Sequence, residues 1–159
     1  GAGGVGLLCV RGVELAFRDA LTISRDVLLL DGARSRVEFQ VANLAPFVAL
    51  KADAYLDRRK PKDAYDLVYV LRWWQGGPEA AAAAVASSPV AGEPFIISAI
   101  SRVLGDFAAP DRAGAIDYAS LRASGGTETE TAFARNEAVL VIRQFAGALR
   151  VRGFGEDVA

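Results

Sequence analysis

The spacing of apolar residues is strand-like within residues 26–41 and helix-like over most of the rest of the chain. Residues 36–41 alternate in the order Arg-Val-Glu-Phe-Gln-Val, which is the pattern of a strand with one buried face. Residues 26–30 form a second β-rich run, and the pair Asp31-Gly32 between the two runs is typical of a hairpin turn. We therefore predict a β-hairpin whose second strand turns its apolar side chains towards the core.

Helical spacing and capping signals govern most of the remaining chain. Asn43 suits an N-cap, Pro61 suits the first turn of a helix, and Thr127 with Glu130 has the spacing of a capping box. These signals predict an α+β fold, in which a small β-rich piece is followed by a mainly helical region. The predicted helices are Val13–Ala20, Leu44–Leu56, Lys62–Trp74, Pro78–Ser88, Pro94–Ala108 and a long one from Thr127 to about Val151, with residues 116–121 left ambiguous.

Composition narrows the chemistry that the chain can perform. Of the 159 residues, 52% are hydrophobic and 23% are charged, and the formal net charge is −1. A core can form, but no overall positive field attracts nucleic acid. Cys9 is the single cysteine and histidine is absent, which excludes an intramolecular disulfide, histidine-dependent triads and histidine-ligated metals. Any catalysis therefore rests on carboxylates, lysines, arginines and a metal with oxygen ligands.

The start of the chain and its longest apolar runs give further expectations. No apolar run approaches the ~18 to 20 residues needed to span a bilayer, and no basic segment precedes a signal-like stretch. We expect a cytoplasmic protein with no membrane partner. The chain starts at Gly1 and contains no methionine, which indicates a piece of a longer protein. Gly1–Gly6 lacks the Gly-Lys-Ser/Thr of a phosphate loop and is interpreted as a cut-off terminus.

Two charged residues occupy otherwise apolar helix faces. Lys51 lies in the middle of the apolar face of the helix that begins at Leu44, and Asp63 opens the apolar stripe of the next helix. On a helical wheel, Asp66 points about 60° away from that stripe. Because an unpaired buried charge is expensive and the connection is short, we expect Lys51 and Asp63 to face each other within ion-pairing range.

A structural explanation competes with a functional one for these residues. Asp63 follows Pro61 by two positions, where the helix dipole favours an acid, and the cations among residues 58–62 fit a solvated basic loop. On physical grounds alone this explanation is favoured, although displaced charges cluster at functional sites. For the pair Trp73-Trp74, capping of a helical core is likewise favoured over stacking on a base.

The segment around Lys51 carries a resemblance to a known family. The downstream motif of the AbiEii/AbiGii toxin nucleotidyltransferase-like proteins, in the DNA polymerase β-type nucleotidyltransferase superfamily, is similar to a pattern in this chain: Leu50-Lys51-x-x-Ala54-x-x-x-Arg58-x-Lys60-Pro61-Lys62-Asp63-x-x-Asp66-Leu67. The similarity extends more loosely from Gly12 to Trp74. The resemblance implies that residues 1–75 are the C-terminal part of a nucleotidyltransferase-like core, followed by a helical C-terminal region at residues 76–159.

The resemblance also implies an activity and roles for individual residues. A nucleoside monophosphate would be transferred from an NTP, with Mg²⁺ as cofactor, to an RNA (such as tRNA) or protein acceptor. A cognate antitoxin would be a further partner. Lys51 and Asp63 would be the catalytic residues, and Lys51, Arg58, Lys62 and Asp66 would contact the nucleotide.

One departure from the family pattern limits these implications. The family signature is a Gly-Ser turn followed by an Asp-x-Asp pair that holds the metal, and no such signature occurs in the sequence. The metal ligands are therefore expected upstream, and Glu38 is interpreted as a solvent-facing strand residue rather than a third carboxylate. Enzyme activity is expected only if the full-length protein contains the Asp-x-Asp element. The alternatives are a catalytically inactive relative that acts as a binding module, and a helical interaction domain with an accidental resemblance.

Overall fold

A computed structural model of the chain describes residues 10–155. Within this range a two-stranded antiparallel sheet precedes a helical region, which confirms the α+β prediction. The elements are α1 (Val13–Arg18), β1 (Ala20–Leu28), β2 (Arg34–Ala42), α2 (Leu44–Arg58), α3 (Pro61–Trp73), α4 (Gly77–Ala86), α5 (Pro94–Leu104), a 3-10 turn (Gly105–Phe107), α6 (Ala113–Arg122) and α7 (Glu128–Val151). Cys9 and Gly1–Gly6 lie outside the described residues.

The hairpin is present, but its strands are longer than predicted. β1 begins at Ala20 rather than at Asp26 and ends at Leu28, and it pairs with β2 along its whole length. The sequence analysis did not assign residues 20–25 to a strand, and they belong to one because they pair with residues 37–42 of β2. The predicted turn is confirmed, since Gly32 lies in it with a φ of 84°.

The prediction of a half-buried second strand was wrong. Val37 and Phe39 are 37% and 45% exposed, because the described helices leave these side chains largely open to solvent. The base of the hairpin is held instead by the buried side chain of Asp19. Its carboxylate accepts hydrogen bonds from the Asn43 amide at 2.9 Å and from the Ser88 hydroxyl at 2.6 Å.

The helices follow the predicted caps, with small differences at their ends. The Asn43 side chain caps α2, and the capping box of Thr127 and Glu130 is formed in both directions at the start of α7. Residues 116–121, ambiguous in the sequence, belong to α6. α5 ends at Leu104 and continues as a 3-10 turn, which the periodicity did not distinguish from a longer helix.

One continuous apolar core joins the helices. It extends from Leu15 in α1 to Leu149 in α7, and it includes side chains on both sides of the α3–α4 connection. Ala138, Ile142, Phe145 and Leu149, which form one stripe along α7, are buried in it. In the part of the chain that the structure describes, no helix has the length and apolarity that crossing a membrane requires.

Candidate functional site

The connection between α2 and α3 consists of Arg59 and Lys60. Arg59 adopts the left-handed conformation with a φ of 50°, and its N–H donates to the Tyr55 carbonyl at 2.9 Å, which closes the last turn of α2. Lys60 is extended, as a residue before proline prefers to be. Because the connection is this short, the buried faces of the two helices lie against each other.

Asp63 is the buried centre of the site, with 1% of its surface exposed. Arg58 donates from Nε to Oδ2 at 2.8 Å and from Nη2 to Oδ1 at 3.0 Å, so its guanidinium binds the carboxylate with two nitrogens. Lys51 Nζ donates to Asp63 Oδ1 at 3.3 Å. The predicted pairing of Lys51 with Asp63 is therefore confirmed, and these contacts compensate the burial of a carboxylate in the first turn of α3.

Asp66 is the nearer partner of Lys51. Lys51 Nζ lies 2.7 Å from Asp66 Oδ2, which is shorter than its distance to Asp63. The other carboxylate oxygen of Asp66 accepts from Lys62 Nζ at 3.3 Å, one helical turn earlier in α3. The ammonium of Lys51 is thus held between two carboxylates of one helix.

The contacts set the charge states of the site. Burial acts to raise the pKa of Asp63, but hydrogen bonds and charges from Arg58 and Lys51 outweigh it and hold that pKa below its ordinary value. Burial acts to lower the pKa of Lys51, and Asp66 and Asp63 outweigh it, which leaves the pKa above its ordinary value. Lys51 and Asp63 are therefore both ionised at neutral pH.

The cations of the site reach solvent more than the carboxylates do. The side chains of Lys62, Arg58 and Lys51 are 75%, 54% and 25% exposed, whereas those of Asp66 and Asp63 are 21% and 2% exposed. The cations are therefore the members of the cluster that are most accessible from outside. Amino and guanidinium groups presented in this way can bind phosphate oxygens.

The structure brings together all five residues singled out in the sequence, namely Lys51, Arg58, Lys62, Asp63 and Asp66. Sequence reasoning missed three of the contacts, those of Arg58 with Asp63, of Lys51 with Asp66 and of Lys62 with Asp66. A signal was present for each, since Lys62 and Asp66 are four residues apart on α3. Lys51 and Arg58 are seven residues apart and share one face of α2, while Asp63 and Asp66 are three apart and share one face of α3.

A second set of polar contacts, which the sequence did not indicate, anchors the end of α2. The buried Tyr55 hydroxyl donates to Asp117 in α6 at 2.7 Å. The pKa of Tyr55 is raised mainly by burial and in addition by this hydrogen bond. Arg59 donates to Asp106 in the 3-10 turn at 2.6 Å, and its guanidinium carbon lies 5.1 Å from the centroid of the Tyr55 ring. The partners lie 62 and 47 residues away in the chain, so no local pattern reveals them.

The described residues do not fit a metal ion at this site. Across residues 10–155 no group of three or more acidic, cysteine or histidine side chains could hold one. Asp63 and Asp66 accept hydrogen bonds from Lys51, Arg58 and Lys62, so their oxygens are occupied by cations of the protein itself. The chemistry that these residues can supply is the binding and orientation of anionic groups.

The exposed cations of the α2–α3 cluster are compatible with the binding of phosphate groups. The family described as nucleotidyl transferase AbiEii toxin, Type IV TA system, matches residues 12–142. The chain belongs to this family, which confirms the resemblance seen in the sequence and gives the protein a nucleotidyltransferase-like role of the toxin–antitoxin type. No curated protein and no solved structure matches the chain.

Proposed function

We propose that the full-length protein transfers a nucleoside monophosphate from an NTP to an RNA acceptor, and that Lys51 binds the NTP phosphates. Arg58 and Lys62 add positive charge around the same phosphates, and Asp63 and Asp66 are positioning residues that orient the cations. One observation carries the proposal. The Lys51 ammonium lies 3.3 Å from Asp63 and 2.7 Å from Asp66, yet its side chain remains 25% exposed.

The proposed reaction places specific demands on these cations. A hydroxyl oxygen of the acceptor attacks the α-phosphorus, the bond from that phosphorus to the bridging oxygen breaks, and pyrophosphate leaves while the hydroxyl proton passes to solvent. Negative charge develops on the departing pyrophosphate, so preorganised cations stabilise the transition state more than the ground state. Two carboxylates that fix one ammonium supply this preorganisation for Lys51.

The proposal is tested by following incorporation of labelled nucleotide into RNA by the full-length protein. We expect Lys51→Met to lower kcat/KM by about 10²- to 10³-fold, the usual effect of removing one preorganised charge-stabilising group. Lys62→Ala should raise the KM for NTP with little change in kcat, because this exposed lysine contributes mainly to binding. The matched control is Lys60→Ala, which removes an exposed cation from the α2–α3 connection and should leave both parameters unchanged.

The positioning role of Asp63 is tested by a separate measurement of the KM for NTP. Asp63→Asn, assayed under conditions in which circular dichroism shows a folded protein, should raise the KM for NTP as the cations lose their orientation. A merely structural role would reduce the folded fraction and leave KM unchanged. Wild-type kcat/KM in Lys51→Met would refute the proposed site. Label appearing in protein instead of RNA would overturn the proposed acceptor.

A second candidate function is binding without catalysis, by an inactive relative that pairs with a cognate antitoxin. The hairpin favours this alternative, because Leu21, Val37 and Phe39 lie on one face of the sheet and are 45%, 37% and 45% exposed, and a contiguous apolar patch in solvent marks an interaction surface. This alternative predicts that the antitoxin co-purifies with the wild-type protein and is lost from a Leu21→Ser, Phe39→Ser variant. It also predicts that neither protein incorporates nucleotide into any acceptor.

A further inference from the structure

A row of aromatic rings covers the side of α3 that faces α6. Tyr65, Tyr69 and Trp73 follow one another at every fourth position of α3 and so share one face. The rings of Tyr65 and Tyr69 are stacked with their centroids 5.7 Å apart, whereas those of Tyr69 and Trp73 are tilted by 47° with their centroids 6.4 Å apart. Tyr118 of α6 extends the row at the other end, with its centroid 5.7 Å from that of Tyr65 and an interplanar angle of 17°. We call these four residues the aromatic row.

One end of the aromatic row is buried and the other is open to solvent. Tyr118 is 2% exposed, whereas Tyr69 and Trp73 are 51% and 65% exposed. The neighbouring Trp74 packs against the core, so the sequence prediction that both tryptophans cap the core holds for Trp74 alone. Exposed aromatic faces such as those of Tyr69 and Trp73 can accept a further ring, because offset stacking is favourable for aromatic systems.

Cations surround the aromatic row on its exposed side. Lys62, Arg72 and Arg122 line the same groove, which has a volume of about 520 Å³. Their side chains are 75%, 32% and 47% exposed. The guanidinium carbon of Arg72 lies 5.1 Å from the Trp73 ring centroid, within cation–π range.

The acidic side chains that pair with these cations are less exposed to solvent than the cations are. Glu137, bonded to Arg72 and Arg122, is 8% exposed and also accepts the Tyr118 hydroxyl hydrogen bond. Asp66, which pairs with Lys62, is 21% exposed. The groove therefore presents aromatic faces and positive charge to solvent, with its carboxylates underneath.

We infer that this groove binds single-stranded nucleic acid, with bases stacked on Tyr69 and Trp73 and phosphates bound by Arg72 and Arg122. Alternation of exposed rings and cations is how proteins bind single strands, since each base offers a flat face and each linkage a negative charge. A duplex does not fit this chemistry, because its bases are already stacked on one another.

The groove also meets the candidate transfer site. Lys62 lines the groove and shares Asp66 with Lys51, so a strand in the groove ends beside the Lys51 cluster. Such a strand is the acceptor of the nucleotide, and this assignment of its role rests on the proposed function. The binding of a strand in the groove is independent of the proposed function.

Trp73 provides a direct optical test in the 159-residue chain. The sequence has two tryptophans, so Trp74→Phe leaves Trp73 as the only reporter. Titration with oligo(U) or oligo(dT) of about 12 nucleotides should quench its fluorescence, since a stacked base contacts the indole. If Trp74→Phe does not fold, the anisotropy of a labelled oligonucleotide with the wild-type chain measures the same binding.

Substitutions in the groove give the quantitative test. Trp73→Ala and Tyr69→Ala should each weaken oligonucleotide binding by about 5- to 150-fold, the effect of losing one stacked base. Arg122→Ala should lower the slope of log Kd against log salt by about 0.7, because one phosphate contact is lost. The matched control is Phe17→Ala, which removes an exposed aromatic ring (75%) of α1 that lies outside the groove and should leave binding unchanged.

Several outcomes would overturn the inference. They are the absence of binding, duplex binding as tight as single-strand binding, wild-type affinity in Trp73→Ala, or full competition by a polyglutamate peptide. Preference for RNA or for DNA identifies the strand, and either result supports the inference. Arg58 lies outside the groove and pairs with Asp63, which is not a partner of any groove cation. Arg58→Ala should therefore raise the KM for NTP and leave oligonucleotide binding within about twofold, so a failure of nucleotide transfer and a failure of strand binding are distinguishable.

Discussion

Replacement of Asp63 by asparagine removes the buried charge around which the α2–α3 site is organised, while the volume of the side chain is kept. The carboxylate accepts three hydrogen bonds, two from Arg58 and one from Lys51. Asparagine retains one side-chain oxygen as an acceptor, but its amide group turns N–H donors towards cations that are donors themselves. The variant therefore loses both charge complementarity and part of the hydrogen bonding.

The structure sets bounds on the size of the effect. Removal of one partner from a buried ion pair costs about 3 to 5 kcal/mol when the other charge is left without compensation. Here Lys51 keeps Asp66 at 2.7 Å, and the half-exposed Arg58 is rehydrated, so the loss is smaller. The remaining loss is that of charge-assisted hydrogen bonds to a buried group, and we expect Asp63→Asn to lower the free energy of unfolding by about 2 kcal/mol.

Urea unfolding followed by circular dichroism at pH 7 measures this loss. With an m-value of about 2 kcal/mol per molar urea, the transition midpoint should fall by about 1 M while m stays constant. Asp57→Asn is the matched control. It removes an exposed carboxylate from the last turn of α2, where the helix dipole disfavours an acid, so stability should be unchanged or slightly raised.

The reasoning fails if Asp63→Asn unfolds within about 0.5 kcal/mol of the wild-type chain, the range of ordinary surface substitutions. That result would mean that the buried carboxylate is no better than a neutral amide at this position. It would also remove the physical basis for the claim that Asp63 orients Lys51. A change in m rather than in the midpoint would point to an altered unfolded state.

Three further predictions follow from the same contacts and from the packing. The stability difference between the wild-type chain and Asp63→Asn should shrink in acid, because the folded-state pKa of Asp63 is lowered. The contribution of the Asp63 carboxylate to stability is complete above its unfolded-state pKa of about 3.9 and is lost as the pH falls through the lower folded-state pKa. Urea midpoints at a series of pH values measure this change. Thr127→Ala should lower the free energy of unfolding by about 1 kcal/mol through loss of the α7 N-cap, and an unchanged urea midpoint would contradict this. Gly114→Ala places a methyl group 2.6 Å from the Phe107 ring and should lower the free energy of unfolding by about 1 to 3 kcal/mol. Gly147→Ala has open space around the new methyl group and should raise the free energy of unfolding by about 1 kcal/mol. Thermal melts that shift in the same direction for both variants would refute the packing argument.

Local signals in the sequence determined the elements and two charges of the site. The capping box at Thr127, the proline at the start of α3 and the Asp31-Gly32 turn act over a few residues, so their structural effect is readable from spacing alone. Lys51 and Asp63 were recognisable as partners for the same reason. Each interrupts the apolar face of its own helix, and a buried charge needs a partner.

The tertiary structure decided which groups share the site and which faces stay open. Alternation in β2 predicted a buried face, yet Phe39 is 45% exposed, because burial depends on whether another element covers the sheet. The stacking of Tyr118 on Tyr65 joins α6 to α3, and Glu137 of α7 pairs with Arg72 of α3. Such contacts link residues far apart in sequence, and only helix packing brings them together, because side-chain periodicity specifies which face is apolar and leaves open what that face meets.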